Sequence, residues 1–215
     1  MAATVRKWSN VAVAMQSVLA STKTISGITN ANPAVITATS HGYSNGNYVL
    51  LLVQGMSQMD SKIVRVANQT TNTFEAEGVD STSFGTFSSG TAQLVTFGTT
   101  LSSVKGLQAS GGDFDFIDIT TIHDTVKKQI PNLPNPITYS FDNIWDVSDA
   151  AQIAMKAASD AQAPRAFKVT FGTGGQIMAF YGYVGFSGMP TGNALDVVLS
   201  PAVITMFGTP TFYAS

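Results

Sequence analysis

Only one stretch of this sequence spaces its apolar residues as a helix does, and that scarcity constrains the fold more than any other feature. Asp146–Gln162, "DVSDAAQIAMKAASDAQ", has apolar residues at 147, 150, 151, 154, 157, 158 and 161. That spacing fills a single helical face. Asp146 or Ser148 is placed to cap its start, with Asp149 in the first turn near the positive end of the dipole. Pro164 stands where the helix must stop. The apolar stripe is mostly alanine, so this helix can lie close against a sheet.

The rest of the chain reads as strand. Runs with period-two alternation or β-branched and aromatic residues recur, bounded by Gly, Asn, Pro and Ser. Strands are predicted over Val11–Ser21, Asp113–Ile122, Ile137–Phe141, Ala166–Phe171, Ile177–Phe186, Ala194–Leu199, Val203–Phe207 and Thr211–Tyr213. Thr24–Val95 has its own rhythm of short strands and Asn/Gly/Ser turns, as in a small barrel or sandwich. If it is removed, Val11–Ser21 runs on towards Val95–Leu107. The segment reads as an insertion in a host domain, flanked by Ser/Thr-rich stretches that tolerate one.

Composition limits what the chain can do. Charged residues make up 11% of it, against roughly 25% in an ordinary soluble domain. A surface this poor in charge suits a chain that covers itself with its own copies. The net charge is −2, and no basic run exceeds two residues, so nothing gathers nucleic acid electrostatically. There is no cysteine, which excludes disulfides, thiolate catalysis and Cys-based metal sites. The longest apolar run, Tyr48–Val53, is too short to span a bilayer. Arg6-Lys7 ahead of Val11–Ala20 loosely imitates a secretion signal. The intervening Trp8, Ser9 and Asn10, and the interruption at Gln16 and Ser17, fit a first strand better.

One motif spells an enzyme. His41–Gly46, "HGYSNG", contains the Gly-x-Ser-x-Gly of a nucleophile elbow. That elbow needs a helix after the serine, and a histidine delivered from a distant position. Here a strand, Asn47–Val53, follows. Ser44-Asn45-Gly46-Asn47 reads as a tight turn, with Asn and Gly suited to positive φ. The two histidines, His41 and His123, form no metal-binding spacing. Gly172–Gly175 lacks the lysine of a phosphate loop and reads as a hairpin turn. No catalytic, cofactor or metal site is expected.

Two other groups are better candidates. Asp113, Asp115 and Asp118 lie close together on one strand, with Asp113 and Asp115 on one face and Asp118 on the other. A solvated face, the negative lining of a shared cavity and an acid/base pair all remain open readings. His123–Pro136, "HDTVKKQIPNLPNP", is a long link between strands. Such links are functional or mobile. Its Ile130 and Leu133 would be wasted on solvent, which favours a partner contact over a floppy surface loop.

Four segments taken in order resemble a known family. They are "VKGLQASGGDFDFIDITTIHDTVKKQIPNL", "ITYSFDNIWDVSDAAQIAMKAASDAQAPRAFKVTF", "QIMAFYGYVGFSGM" and "DVVLSPAVITMFGTPTF". Their order and spacing resemble the major tail tube proteins of long-tailed, non-contractile bacteriophages. The likeness is loose over Met1–Lys23 and good over Val95–Ser215. The insert, through "ITNANPAVITATSHGYSNGNYVLL" and "VQGMSQMDSKIVRVANQTTNTFEAEGVDSTSFGTFSSG", is similar to a β-module of phage virion proteins. That module is itself like the first catalytic cysteine half-domain of ubiquitin-activating enzymes.

The resemblance implies a mainly β fold: a tail-tube β-sandwich or barrel over residues 1–23 and 96–215 with one flanking α-helix, plus an inserted small all-β decoration domain over 24–95. It implies a structural virion protein and not an enzyme. Homohexameric rings would stack into a tail tube, the channel for DNA ejection into the host. Lys127, Lys128, Ile130 and Leu133 would contact the next ring. Asp113, Asp115 and Asp118 are the candidate lumen acids. The implied partners are further copies of the chain, the tape measure, tail tip and tail terminator proteins, and double-stranded DNA in transient, non-specific passage. No membrane and no cofactor is implied. The location would be the virion tail, assembled in the host cytoplasm. A monomeric or low-order β-rich surface- or carbohydrate-binding protein is the alternative.

Overall fold

The computed structural model describes residues 10–172 and 174–214. The N-terminal part of the tail-tube likeness, residues 1–9, lies outside them. The chain opens with β1 (Val11–Met15) and then runs through β2 (Val18–Leu19), β3 (Lys23–Ile25), β4 (Gly27–Ile28) and β5 (Ala34–Thr37). Next come β6 (Tyr48–Gln54), β7 (Lys62–Ala67), β8 (Thr73–Ala76) and β9 (Ser89–Thr96). β10 (Thr99–Thr100), β11 (Val104–Ser110), β12 (Phe114–Asp118), β13 (Gln129–Pro134) and β14 (Thr138–Ile144) follow. The helix α1 (Ala150–Asp160) precedes β15 (Arg165–Phe171), β16 (Ile177–Phe186), β17 (Leu199–Met206) and β18 (Thr211–Tyr213). The fold is mainly β with one α-helix among the described residues, as the patterning predicts.

Every named strand pairing is antiparallel. The first sheet runs β10-β1-β15-β16-β17-β14-β11, with β18 added beside β16. The second runs β2-β9-β6-β7-β8-β5-β4, with β3 beside β9. The expected single strand Val11–Ser21 is in fact two. At Gln16-Ser17 the chain passes from one sheet to the other: Gln16 N donates to Ala166 O at 2.8 Å and Ser17 N to Thr96 O at 2.8 Å. The return comes between β9 and β10.

Alternation decides which residues meet. On the inner face of the first sheet, Phe167 stacks on Phe180 with ring centroids 5.5 Å apart. Val169, Met178, Ile204 and Phe141 join them, and α1 covers this core with Ala151, Met155 and Ala158. The second sheet encloses its own core around Phe74, Ile36, Leu51 and Met59. A third apolar cluster joins the sheets: Tyr48, Leu50, Ile63 and Val95 of the second pack on Ala166, Ala179, Tyr181 and Tyr213 of the first.

Three local expectations need correction. The helix is capped by Asp149, not by Asp146 or Ser148. The Asp149 carboxylate accepts from Ala151 N at 2.7 Å and Gln152 N at 3.1 Å. Asp146 instead folds onto Ser148, accepting from its N at 2.8 Å and its Oγ at 2.7 Å. The helix also stops before Pro164. Gln162 takes a φ of +48°, and Ala163 N reaches back to Ala158 O at 3.0 Å, closing the last turn. Finally, Ala194–Leu199 is a loop up to Leu199. Leu195 has a φ of +73°, which breaks an extended run, and its side chain is fully exposed.

Candidate assembly surfaces

The catalytic spelling dissolves in the structure. Asn47 N donates to Ser44 O at 3.0 Å, and Gly46 has a φ of +86°, so residues 44–47 form a turn leading into β6. His41 is buried. Its Nδ1 accepts from Tyr43 N at 2.9 Å, and its Nε2 faces Thr73 O at 3.3 Å, which assigns the proton to Nε2. The ring packs against Tyr43 and Phe74. It is a core residue, with both nitrogens occupied. His123 is exposed beyond the end of β12. Among the described residues no three His, Cys, Asp or Glu gather as a metal site would require.

Two strand surfaces lack a partner among the described residues. The first is the outer face of β17, β14 and β11 with the Tyr183–Phe186 end of β16; on the same face of β16, Ala179 and Tyr181 are covered by the second sheet. Residues directly opposite in an antiparallel pair point to the same side. One row across this face is Tyr183, Thr205, Thr138, Ser110; the next is Gly185, Val203, Ser140, Gln108; a third is Pro201, Asp142, Gly106. Asp142 is the one ionic residue in these rows, and Lys105 stands exposed at the bulge of β11 beside Gly106, the partner of Asp142. Hydroxyls dominate the face, and Ser110 and Thr138 share a hydrogen bond at 2.7 Å. β11 is also a bare edge along its outer side. β10 covers only the Ala14–Met15 half of β1.

The second surface is the hairpin β12–β13, which pairs with nothing else. It replaces the unstructured link expected over His123–Pro136, because Ile117 pairs with Ile130 and Asp118 with Gln129. Every residue of both strands is exposed. Phe116 is 61% exposed and Leu133 80%.

The structure brings the two predicted groups together. Asp113, Asp115 and Asp118 occupy one arm of this hairpin; Ile130 and Leu133 occupy the other, with Lys127 and Lys128 leading into it. Lys127 Nζ lies 3.5 Å from Asp118 Oδ2, and Lys128 pairs with Asp124. Thr120, through side chain and backbone, holds the Asp118 carboxyl below its ordinary range, with Lys127 adding to the effect. Lys128, then Thr121, do the same for Asp124. Both acids are therefore anions in ion pairs. Asp115 accepts from Asn135 Nδ2 at 3.4 Å at the base of the hairpin. None of the three predicted acids belongs to the four-stranded rows, whereas Asp142 does. Sequence reasoning passed over Asp142 because a lone acid in "SFDNI" carries no pattern; its only signal is alternation with the apolar Tyr139 and Phe141.

Residues 54–215 match the family model described as phage tail tube protein, from the end of β6 onward, which takes in every strand of the first sheet except β1. Among solved structures, the chain is similar to one from the tail of an empty GTA particle, computed with helical refinement and C6 symmetry. That likeness has 13% identity and a TM-score of 0.40, over 60% of this chain and 88% of the other. No curated protein matches the sequence.

Proposed function

The chain belongs to the phage tail tube protein family and is a structural tail protein rather than an enzyme, and from that premise we propose how it builds its tube. Six copies close into a ring, rings stack into a hollow tube, and double-stranded DNA passes through the channel on ejection. The reading rests on one observation: a four-stranded face with no covering layer, flanked by a bare edge strand. A sheet left open in this way invites pairing, and closure around a ring removes the edges.

The uncovered face of β17, β14 and β11, with the Tyr183–Phe186 end of β16, lines the channel in this reading. Its chemistry suits passage without adhesion, since its paired rows hold mostly hydroxyls and one acid, and Lys105, at the bulge of β11 beside the Gly106–Asp142 pair, is the one basic residue of the four strands. Asp142, repeated around each ring, gives a like-charged field that keeps the polyanion from the wall. Asp113, Asp115 and Asp118 extend that acidity along the hairpin, reduced at Asp118 by Lys127. The hairpin, with Lys127, Lys128, Ile130 and Leu133, contacts the neighbouring ring. Residues 24–95, which supply most of the second sheet, pack on β15, β16 and β18 of the first and decorate the outside of the tube in this reading. The remaining partners are the tape measure, tail tip and tail terminator proteins. The tube forms in the host cytoplasm and functions in the virion tail.

Negative-stain microscopy of the purified protein tests this. Hollow tubes or six-fold rings are expected. A monodisperse monomer at every concentration, even with tail-initiation proteins added, would overturn it. Deleting 127–133 should leave the fold intact and abolish stacking; tubes of normal length from that deletion would remove the hairpin's role.

A further inference from the structure

The end of the first sheet opposite the hairpin carries an apolar groove that none of the described residues fills. Its volume is about 490 Å³, and it lies between α1 and the loop after β16. Trp145, Val147, Ile153 and Met189 wall it, over Phe186. Val147 is 71% exposed, Ile153 55% and Met189 67%. Trp145 is held in place by its Nε1, which donates to Gly188 O at 3.1 Å. A fixed tryptophan among aliphatic side chains is the composition of an anchor site. The groove also has a charge to satisfy. Lys156 is committed to Asp160, while the Asp146 carboxylate on the rim accepts only from Ser148 among the described residues.

The hairpin tip has the opposite character. Ile122 is 96% exposed and Val126 72%, so the loop between β12 and β13 presents two uncovered aliphatic side chains. Lys128 is taken by Asp124, whereas the Lys127 side chain is 71% exposed and reaches Asp118 only at 3.5 Å. The tip is thus an apolar knob with a cation beside it, and the groove an apolar slot with an anion on its rim.

These two surfaces cannot meet within one copy. β14 starts at Thr138, beside the hairpin, and ends at Ile144, beside Trp145; β17 runs back alongside it, with Leu199 opposite Ile144 and Thr205 opposite Thr138. Seven residues of strand hold the two ends about 20 Å apart, and the hairpin connects to β14 at the Thr138 end. A knob at one end and a slot at the other make a heterologous contact, which repeats without closing.

We infer that the α1 groove is the seat for the hairpin tip of a second copy, with Ile122 and Val126 against Trp145 and Ile153 and with Lys127 facing Asp146. This rests on the tube reading above and adds the receiving surface.

The absence of cysteine makes the test clean. Val126→Cys with Ile153→Cys places the only two thiols at exposed positions. Oxidised tubes of the double variant should give a ladder of covalent oligomers, absent from either single variant. Tubes without a ladder overturn the assignment while leaving the tube reading intact. A ladder of equal strength when Ser57→Cys, on the second sheet, replaces Ile153→Cys also overturns it. If the unsubstituted chain forms no tube, the tube reading falls, and the seat with it. As a second measurement, Ile153→Glu should raise the concentration needed for assembly at least tenfold with an unchanged unfolding midpoint; an unchanged assembly concentration refutes the seat.

Discussion

Tyr213 ties the last strand to the second sheet with a single hydroxyl. It donates to Ile63 O at 3.2 Å and accepts from Arg65 N at 2.8 Å, while the Arg65 guanidinium lies 4.8 Å from its ring centroid. Burial pushes its phenol up to about 12, and that of Tyr43 likewise to about 12. In an unfolded chain both ionise near pH 10, roughly two units lower. The stability they contribute is therefore intact below that pH, falls as pH rises through the window, and is gone above about 12. The loss is on the order of 2–3 kcal/mol per tyrosine. Denaturant titrations in steps across the window, followed by circular dichroism and tyrosinate absorbance, should show this; a flat profile would contradict it. Gly182 is a second critical residue. A Cβ there would meet Thr205 O and lie 2.9 Å from Met206 Cα, both backbone atoms that cannot swing aside. Gly182→Ala should cost about 1–3 kcal/mol in chemical denaturation, although alanine is otherwise a mild change.

At the level of elements, α1 shows how far a sequence can be read. Its existence follows from the spacing of alanines, because periodicity is a property of the whole segment. Its cap does not, because Asp146, Ser148 and Asp149 are all capable and only backbone geometry decides among them. Asp149→Ala should cost roughly 1 kcal/mol through two lost N–H acceptors, and Asp146→Ala less; the reverse order in thermal melts would contradict the structure. Gln162→Gly should add about 0.5–1 kcal/mol, since glycine enters the left-handed conformation without strain. The hairpin was half legible. Alternation predicts β12, but the three prolines at 131, 134 and 136 disguise β13, because proline argues against a paired strand. They are tolerated here because the hairpin is a two-stranded ribbon with open edges. Asp118 and Lys127 lie nine residues apart in the sequence and meet only through the pairing of the two arms, so nothing in the sequence marks them as one site.

For the molecule as a whole, the third apolar cluster governs how independent the two sheets can be. Residues 24–95 form a discrete β unit in the sequence, and the second sheet does have its own core. However, β2 joins that sheet from Val18, and Tyr48, Leu50 and Ile63 lie against Ala179, Tyr181 and Tyr213. Excising 24–95 with a short linker should leave a first sheet that folds, but with a lower midpoint and a tendency to self-associate through the uncovered tyrosines. Calorimetry and light scattering would show both; complete unfolding would place the boundary elsewhere. Nothing in the sequence separated these outcomes, because the residues of the joint alternate with core residues on strands read as wholly internal. A last consequence follows from the hairpin leaving the first sheet at one end only. The chain has a direction: its two ends are chemically different, so any end-to-end polymer of it is an arrow rather than a rod. Growth and arrest then become separate recognition problems, and a protein that halts elongation needs to read only one kind of terminus.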